Sequence, residues 1–414
     1  MFLLTLLPFF AALEQHVFGA EITPNVSSLV WPPELYSPLI PQKLLNTSSV
    51  QHTPTQYPQY TDRTIGKWSW FSPDLWTTGF FPAMLYELNT RRQLCHSSSA
   101  GDANADWVGL GRSWSTAEVP LEVKNHVGHD VGFLSYPFVQ ELLLNPEYET
   151  ALEAVNAFAA DLAARFSPTV GCTRSWDNPD PTLFRVIIDN MMNLEVLFAS
   201  YARTGNKTLV DIAVSHADRT LLYHVRPNGS SFHVVEYNAT TGEVIGRITA
   251  QGYSDNSTWS RGQAWGIYGF ANMFAHTKNM SYLETSRKMA TYFLDNLPLD
   301  SVVPWDFDAP PMPMPPADTS AATIASLGLL LLAQQENSLS PANTTNAARW
   351  ISGTWKIINA VTHFAWKPSW QSLLSNGTVN NHYPSANNDT GTIYGDYYYL
   401  KVGNELVKMG LVHC

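Results

Sequence analysis

The residues from Phe184 to Phe198, Phe-Arg-Val-Ile-Ile-Asp-Asn-Met-Met-Asn-Leu-Glu-Val-Leu-Phe, leave the chain little freedom. The stretch is apolar on nearly every side and reads as a helix buried inside a large fold. Asp189, Asn190 and Asn193 interrupt it. Asp189 and Asn193 stand four residues apart and share one helical face. A carboxylate in apolar surroundings is costly unless it is hydrogen-bonded or partly neutralised, and burial raises its pKa. That shift suits a group that gives and takes a proton near neutrality. A buried Asp that only ties two helices together looks the same in sequence.

The surrounding pattern is helical. The segment from Gly79 to Arg92 carries Phe80, Met84, Leu85 and Leu88, and Val131 to Leu144 follows. Asn145-Pro146 reads as an N-cap and first turn. Behind it Leu152, Val155, Phe158, Ala159, Leu162 and Phe166 recur every three or four residues. The Asp189 helix is expected to end at Gly205, and Leu209 to Leu221 marks the next. Further helices are expected over 261–277, 281–295, 318–335, 345–361 and 394–410, about ten in all. One patch differs: 232–237 and 243–246 flank Thr241-Gly242 and read as a small β-hairpin in an inter-helix loop. The Pro-rich stretch 309–316 reads as a loop. Helix after helix, with no short sequence period, suggests an all-α domain of paired helices over 61–414. Residues 21–60, rich in Pro, Ser, Thr and Asn, read as a leading arm.

Of the 414 residues 45% are hydrophobic, enough for a large core. Fourteen tryptophans and eighteen tyrosines supply flat faces that pack cores and also stack on sugar rings. A net charge of −11 argues against a nucleic-acid or anionic-membrane partner. The apolar run 2–13 is too short to span a bilayer and stands where a signal peptide stands, so residues 1–20 are expected to be a leader. Ten Asn-X-Ser/Thr sequons, at Asn25, Asn46, Asn206, Asn228, Asn238, Asn256, Asn279, Asn343, Asn376 and Asn388, agree with export and N-glycans. Cys95, Cys172 and Cys414 allow at most one internal disulfide and fit no metal spacing. No metal or cofactor is expected, and a monomer is favoured.

Chemistry-bearing residues cluster in three stretches. Asp130, in His129-Asp130-Val131-Gly132-Phe133, stands at a helix-cap position. Its functional reading is a second carboxylate facing Asp189, the two shifting each other's pKa. His129 can equally satisfy a backbone carbonyl. Arg261, between Trp259 and Trp265 at a helix entry, could hold a carboxylate while the indoles stack on a ring, or could simply pair with an acidic neighbour. Gln251 lies in the loop just before. Trp76 and the run Tyr394-Gly395-Asp396-Tyr397 suit a pocket mouth or a core equally. Phosphate-loop, zinc and Gly-X-Ser-X-Gly patterns do not occur.

Taken in order, Leu75-Trp76-Thr77-Thr78-Gly79-Phe80, His129 to Phe133, Asp189 to Asn193, Gln251-Gly252-Tyr253, Trp259 to Gly266 and Tyr394 to Tyr397 resemble glycoside hydrolase family 88, the unsaturated glucuronyl hydrolases. The likeness runs from about Trp70 to Lys408. It implies an (α/α)6 barrel of six helical hairpins with its site at one end. It implies substrates ending in a 4,5-unsaturated uronic acid left by a polysaccharide lyase. Asp189 would be the general acid and base, and Asp130 would stabilise charge and orient substrate hydroxyls. Trp76, His129, Asn190, His233, Gln251, Trp259, Arg261 and Trp265 would bind substrate. Where the family reads sulfate or further sugars, Ser385-Ala386-Asn387-Asn388 has no basic run beside it. The export features suggest a fungal, secreted member. The alternatives are an unsaturated rhamnogalacturonyl hydrolase acting on pectin fragments and an inactive sugar-binding barrel.

Overall fold

The computed structural model describes residues 26–50, 54–95 and 105–414. The expected leader and the Asn25 sequon lie outside the described residues. In chain order the elements are α1 (Leu39–Ser48), β1 (Tyr57–Thr61), β2 (Trp68–Phe71), α2 (Phe80–Cys95) and α3 (Trp107–Ser115). Next come α4 (Val131–Leu134), α5 (Tyr136–Leu144), α6 (Glu149–Ala164), β3 (Phe166–Ser167), β4 (Cys172–Thr173), β5 (Leu183–Ile187), α7 (Asn190–Asn193), α8 (Glu195–Thr204) and α9 (Lys207–Tyr223). The chain finishes with β6 (Val234–Asn238), β7 (Val244–Ile248), α10 (Ser260–Thr277), α11 (Met280–Asp295), α12 (Thr319–Asn337), α13 (Thr344–Ala365) and α14 (Ile393–Lys408).

Among the described residues, two breaks, between α4 and α5 and between α7 and α8, turn fourteen α-helical segments into twelve barrel helices. The inner ring runs α2, α4–α5, α7–α8, α10, α12, α14 and back to α2. Its members bury residues on every side: Ala321, Ile324, Ala325, Leu329 and Leu330 of α12 are wholly inaccessible. Outside lie α3, α6, α9, α11 and α13, each packed on the inner helix before it. The sixth outer position falls to α1, whose Lys43 faces Asp396 of α14. This is the (α/α)6 barrel.

Three details differ from the sequence pattern. The apolar stretch at 184–198 is not one helix. Leu183 to Ile187 is a strand paired antiparallel with β6, Ile187 opposite Val234 and Arg185 opposite Glu236. The Arg185–Glu236 ion pair closes at 2.8 Å. The expected hairpin β6–β7 exists, and β5 makes it a three-stranded sheet. Buried strands and buried helices share an unbroken apolar run, and β-branched Val186, Ile187 and Ile188 favour the strand. Asn145 closes α5 instead of opening α6, which starts after Tyr148. The segment read as an arm holds α1 and β1, with Ile40 and Leu44 buried. The Gly205 C-cap is as expected, with φ 69°.

Candidate active site

The loops preceding the inner helices carry the site. Asp189 follows β5 directly and stands at the N-cap of α7 without capping it. Asp130 likewise precedes α4 without a side-chain capping bond. Neither carboxyl is used up by its helix. The two open into one cavity of about 180 Å³, walled by Trp76, Phe133, Trp176 and Trp265, with Ile187, Gln251 and Arg261 completing it. Asn193 joins the two acidic segments. Its Oδ1 accepts from the Phe133 N–H at 3.2 Å and its Nδ2 donates to Asp130 at 3.4 Å. Gly132 makes that approach feasible, because a Cβ there would lie 2.5 Å from Asn193 Oδ1.

Burial raises the Asp189 carboxyl to about 7; Arg261 opposes the shift, the Asp130 charge adds to it, and Trp265 opposes it as a donor. Burial also raises Asp130 to about 7, against the Asn193 amide and the charge of Arg165. The two neighbouring histidines stay neutral, since burial lowers both to about 3. Their tautomers follow from their partners. His129 Nδ1 faces the Ser175 carbonyl at 2.8 Å, so it carries the proton. Its bare Nε2 lies 3.2 Å from Asp130 Oδ1 and gives a proton on Asp130 a fixed acceptor. His233 is the reverse. Its Nδ1 accepts from the Ala250 N–H at 3.2 Å, which leaves Nε2–H aimed at Asp189 Oδ1 3.9 Å away. Asp189 thus has one cation, Arg261, acting on it through charge and Trp265 as a side-chain donor, while its Oδ1 has no hydrogen-bond partner and can present its proton to the cavity.

The remaining expected residues divide. Trp76, Gln251, Arg261 and Trp265 line the cavity. Trp76 rests on Tyr394 at 4.9 Å. Gln251 donates to the Val379 carbonyl at 3.1 Å, tying the loop before α10 to the one before α14. The Arg261 guanidinium is largely engaged. It pairs with Asp318 at 2.6 Å, donates to the Thr378 carbonyl, and lies 4.6 Å from the Trp259 ring centre. Its reach to Asp189 is through charge. Trp259 stands behind, against His233 at 4.4 Å. Asn190 turns away from the cavity and donates to Thr173 Oγ1 at 2.9 Å. Trp176 has no counterpart in the sequence reading. It sits in a turn-rich stretch, pinned where Arg165 binds the Ser175 carbonyl and Asp177 and where Trp176 bridges Arg185. Among the described residues no group of three or more His, Cys, Asp and Glu side chains is arranged to hold a metal, and no helix is long and apolar enough to cross a membrane.

Two carboxyls poised near neutrality over an aromatic floor, at one end of a helical barrel, define a carbohydrate-active acid–base enzyme. No protein-family model matches the chain. An unsaturated glucuronyl hydrolase of Formosa agariphila is 33% identical over 341 residues, covering 79% of this chain and 78% of that one. An unsaturated chondroitin disaccharide hydrolase of Streptococcus agalactiae is 30% identical over 340 residues, covering 79% and 80%. The crystal structure of an unsaturated glucuronyl hydrolase specific for heparin superposes with a TM-score of 0.79 at 28% identity, over 92% of this chain and 97% of that one. The chain belongs to the unsaturated glucuronyl hydrolase family, glycoside hydrolase family 88.

Proposed function

We propose that this enzyme releases 4,5-unsaturated glucuronic acid from the non-reducing end of lyase-generated oligosaccharides. The observation that carries the reading is the shared cavity of Asp130 and Asp189, with both carboxyls raised to about 7. Asp189 protonates C4 of the vinyl ether, and water adds at C5 while giving a proton back to Asp189. No proton is consumed on the enzyme. The new C5 hemiketal opens at its ring oxygen to a ketone. The oxygen left on C1 forms a hemiacetal that expels the next sugar as an alcohol. Asp130, its proton directed to His129, orients substrate hydroxyls, and Trp76 and Trp176 flank the ring. The usual two-carboxylate attack at the anomeric carbon is not needed. A general acid–base group contributes ~10²–10⁴-fold. Asp189→Asn is expected to lose about that much turnover and keep its fold, read as decay of the substrate's ultraviolet absorbance beside circular dichroism. Wild-type-like turnover in that variant would overturn the assignment. A panel of glucuronan-, glycosaminoglycan- and pectin-derived unsaturated disaccharides identifies the parent polymer.

We further propose that the protein is an exported glycoprotein of fungal type. The nine sequon asparagines among the described residues are all exposed or partly exposed. Cys95 and Cys414 form a disulfide, which suits an oxidising compartment. A mass loss on enzymatic deglycosylation of the native secreted protein tests this.

A further inference from the structure

The inner helices also line a second space. α10 carries Arg261 and Trp265 at the active-site cavity, then Tyr268 and Asn272 farther along. The α4–α5 pair passes from Phe133 to Tyr136. α14 passes from Tyr394, under Trp76, to Tyr397, Tyr398 and Lys401. At 1.5 Å per residue, Asn272 lies about 10 Å down the barrel from Trp265. Between the two spaces stands an aromatic partition. Phe133 touches Trp265 and Tyr136, and Trp265 touches Tyr398, each at 5.5 Å between ring centres. The bore is thus divided into two chambers, and the far one, at about 260 Å³, is the larger.

Its chemistry differs from the partition. Phe and Trp give way to four tyrosines. The hydroxyls of Tyr136 and Tyr398 bond each other at 3.2 Å, and that of Tyr397 accepts a hydrogen bond from Lys401 at 3.1 Å. Among the described residues neither the Tyr268 hydroxyl nor the Asn272 amide has a side-chain hydrogen-bond partner, yet both face the chamber. Both residues are partly buried, so solvent entering the chamber reaches them, and a ligand's hydroxyls can take the place of that water. Charges are matched in place. Lys401 lies 3.7 Å from Glu87, and Glu195 at the rim pairs with His276 at 2.9 Å. Leu143, three-quarters exposed, marks an opening to solvent. Hydroxyls, amides and ring faces without net charge fit a polyhydroxylated neutral molecule better than an acid.

We propose that the far chamber binds one neutral sugar unit, separately from the uronate cavity. The test is titration calorimetry of the full-length enzyme with glucose, N-acetylgalactosamine, rhamnose and glucuronate. Neutral sugars are expected to bind saturably and glucuronate about tenfold or more weakly. Removing one hydrogen bond is worth up to about tenfold in affinity. Asn272→Leu should therefore weaken binding by about that factor while turnover of unsaturated disaccharide stays unchanged. Should Asn272→Leu misfold, Tyr268→Phe deletes one hydroxyl at constant shape and should act alike. Failure of every neutral sugar to bind overturns the proposal. So does binding that responds to Trp76→Ala but not to the chamber variants, which would put the sugar in the uronate cavity. None of these outcomes depends on the reaction assigned to Asp189.

Discussion

At Asp189 the same burial that prepares a proton donor also burdens the fold. In the unfolded chain an Asp titrates near 4. In the barrel its pKa is raised to about 7. The folded state therefore holds the extra proton between those values, and stability falls as pH rises across that window. Below the lower value the group costs little. Above the upper one a carboxylate sits desolvated, with Asp130 repelling it. Asp189→Asn is thus expected to raise the melting temperature more at pH 8 than at pH 4, measured by calorimetry at both. Activity follows the same titration. The free enzyme needs Asp189 protonated, so kcat/KM is expected to fall as pH rises through about 7, tenfold per unit beyond. The two carboxyls interact, and the limb reports the pair. A profile flat from pH 6 to 9 would remove Asp189 as the donor.

The elements hold these residues through close backbone approach. α4 and α7 meet at Gly132, where a Cβ would lie 2.6 Å from the Asn193 Cα. Backbone cannot yield as a flexible side chain can. Gly132→Ala is expected to part the two helices and break the Asn193 bridge between Phe133 and Asp130. Overpacking of this kind costs about 1–3 kcal/mol. A displacement of about 1 Å at a reacting group costs on the order of a hundredfold in rate. Melting and kcat/KM of the one variant check both. The contact also shows what sequence could and could not carry. Asp130, Asp189 and Arg261 were visible because polar residues stood out in apolar or aromatic runs. The strand before Asp189 was not, since its apolar run fits either buried state and only its pairing with Val234 to Asn238 decides. Two outer helices were hidden by composition. α1 has Pro41 in its first turn and α3 has two glycines in nine residues, so tertiary packing rather than propensity makes them helical. Trp176 was hidden for a different reason, because its place is set by the backbone around it, held by Arg165 at the end of α6 and by the bridge to Arg185 of β5.

The whole barrel must close a ring whose last inner helix, α14, packs against the first, α2. Arg91 of α2 donates to Asn404 and to the Leu400 carbonyl of α14, and the Cys95–Cys414 disulfide crosses the same seam. The bridge spans 319 residues of sequence, so it removes much freedom from the unfolded chain. Its position separates stability from chemistry. Phe80, at the other end of α2, packs beside Trp76, and the fifteen-residue rise to Cys95 places the bridge about 22 Å farther along. Cys414→Ser is therefore expected to lower stability by about 2–5 kcal/mol while kcat and KM at 25 °C stay at wild-type values. Thermal melting with and without reductant, beside absorbance assays on the same samples, checks this. Reductant should lower the melting temperature of the wild type and leave that of Cys414→Ser unmoved. Loss of turnover in fully folded Cys414→Ser would mean that the seam between α14 and α2 also sets the geometry around Trp76. The two ends of the barrel would then be mechanically joined through α2.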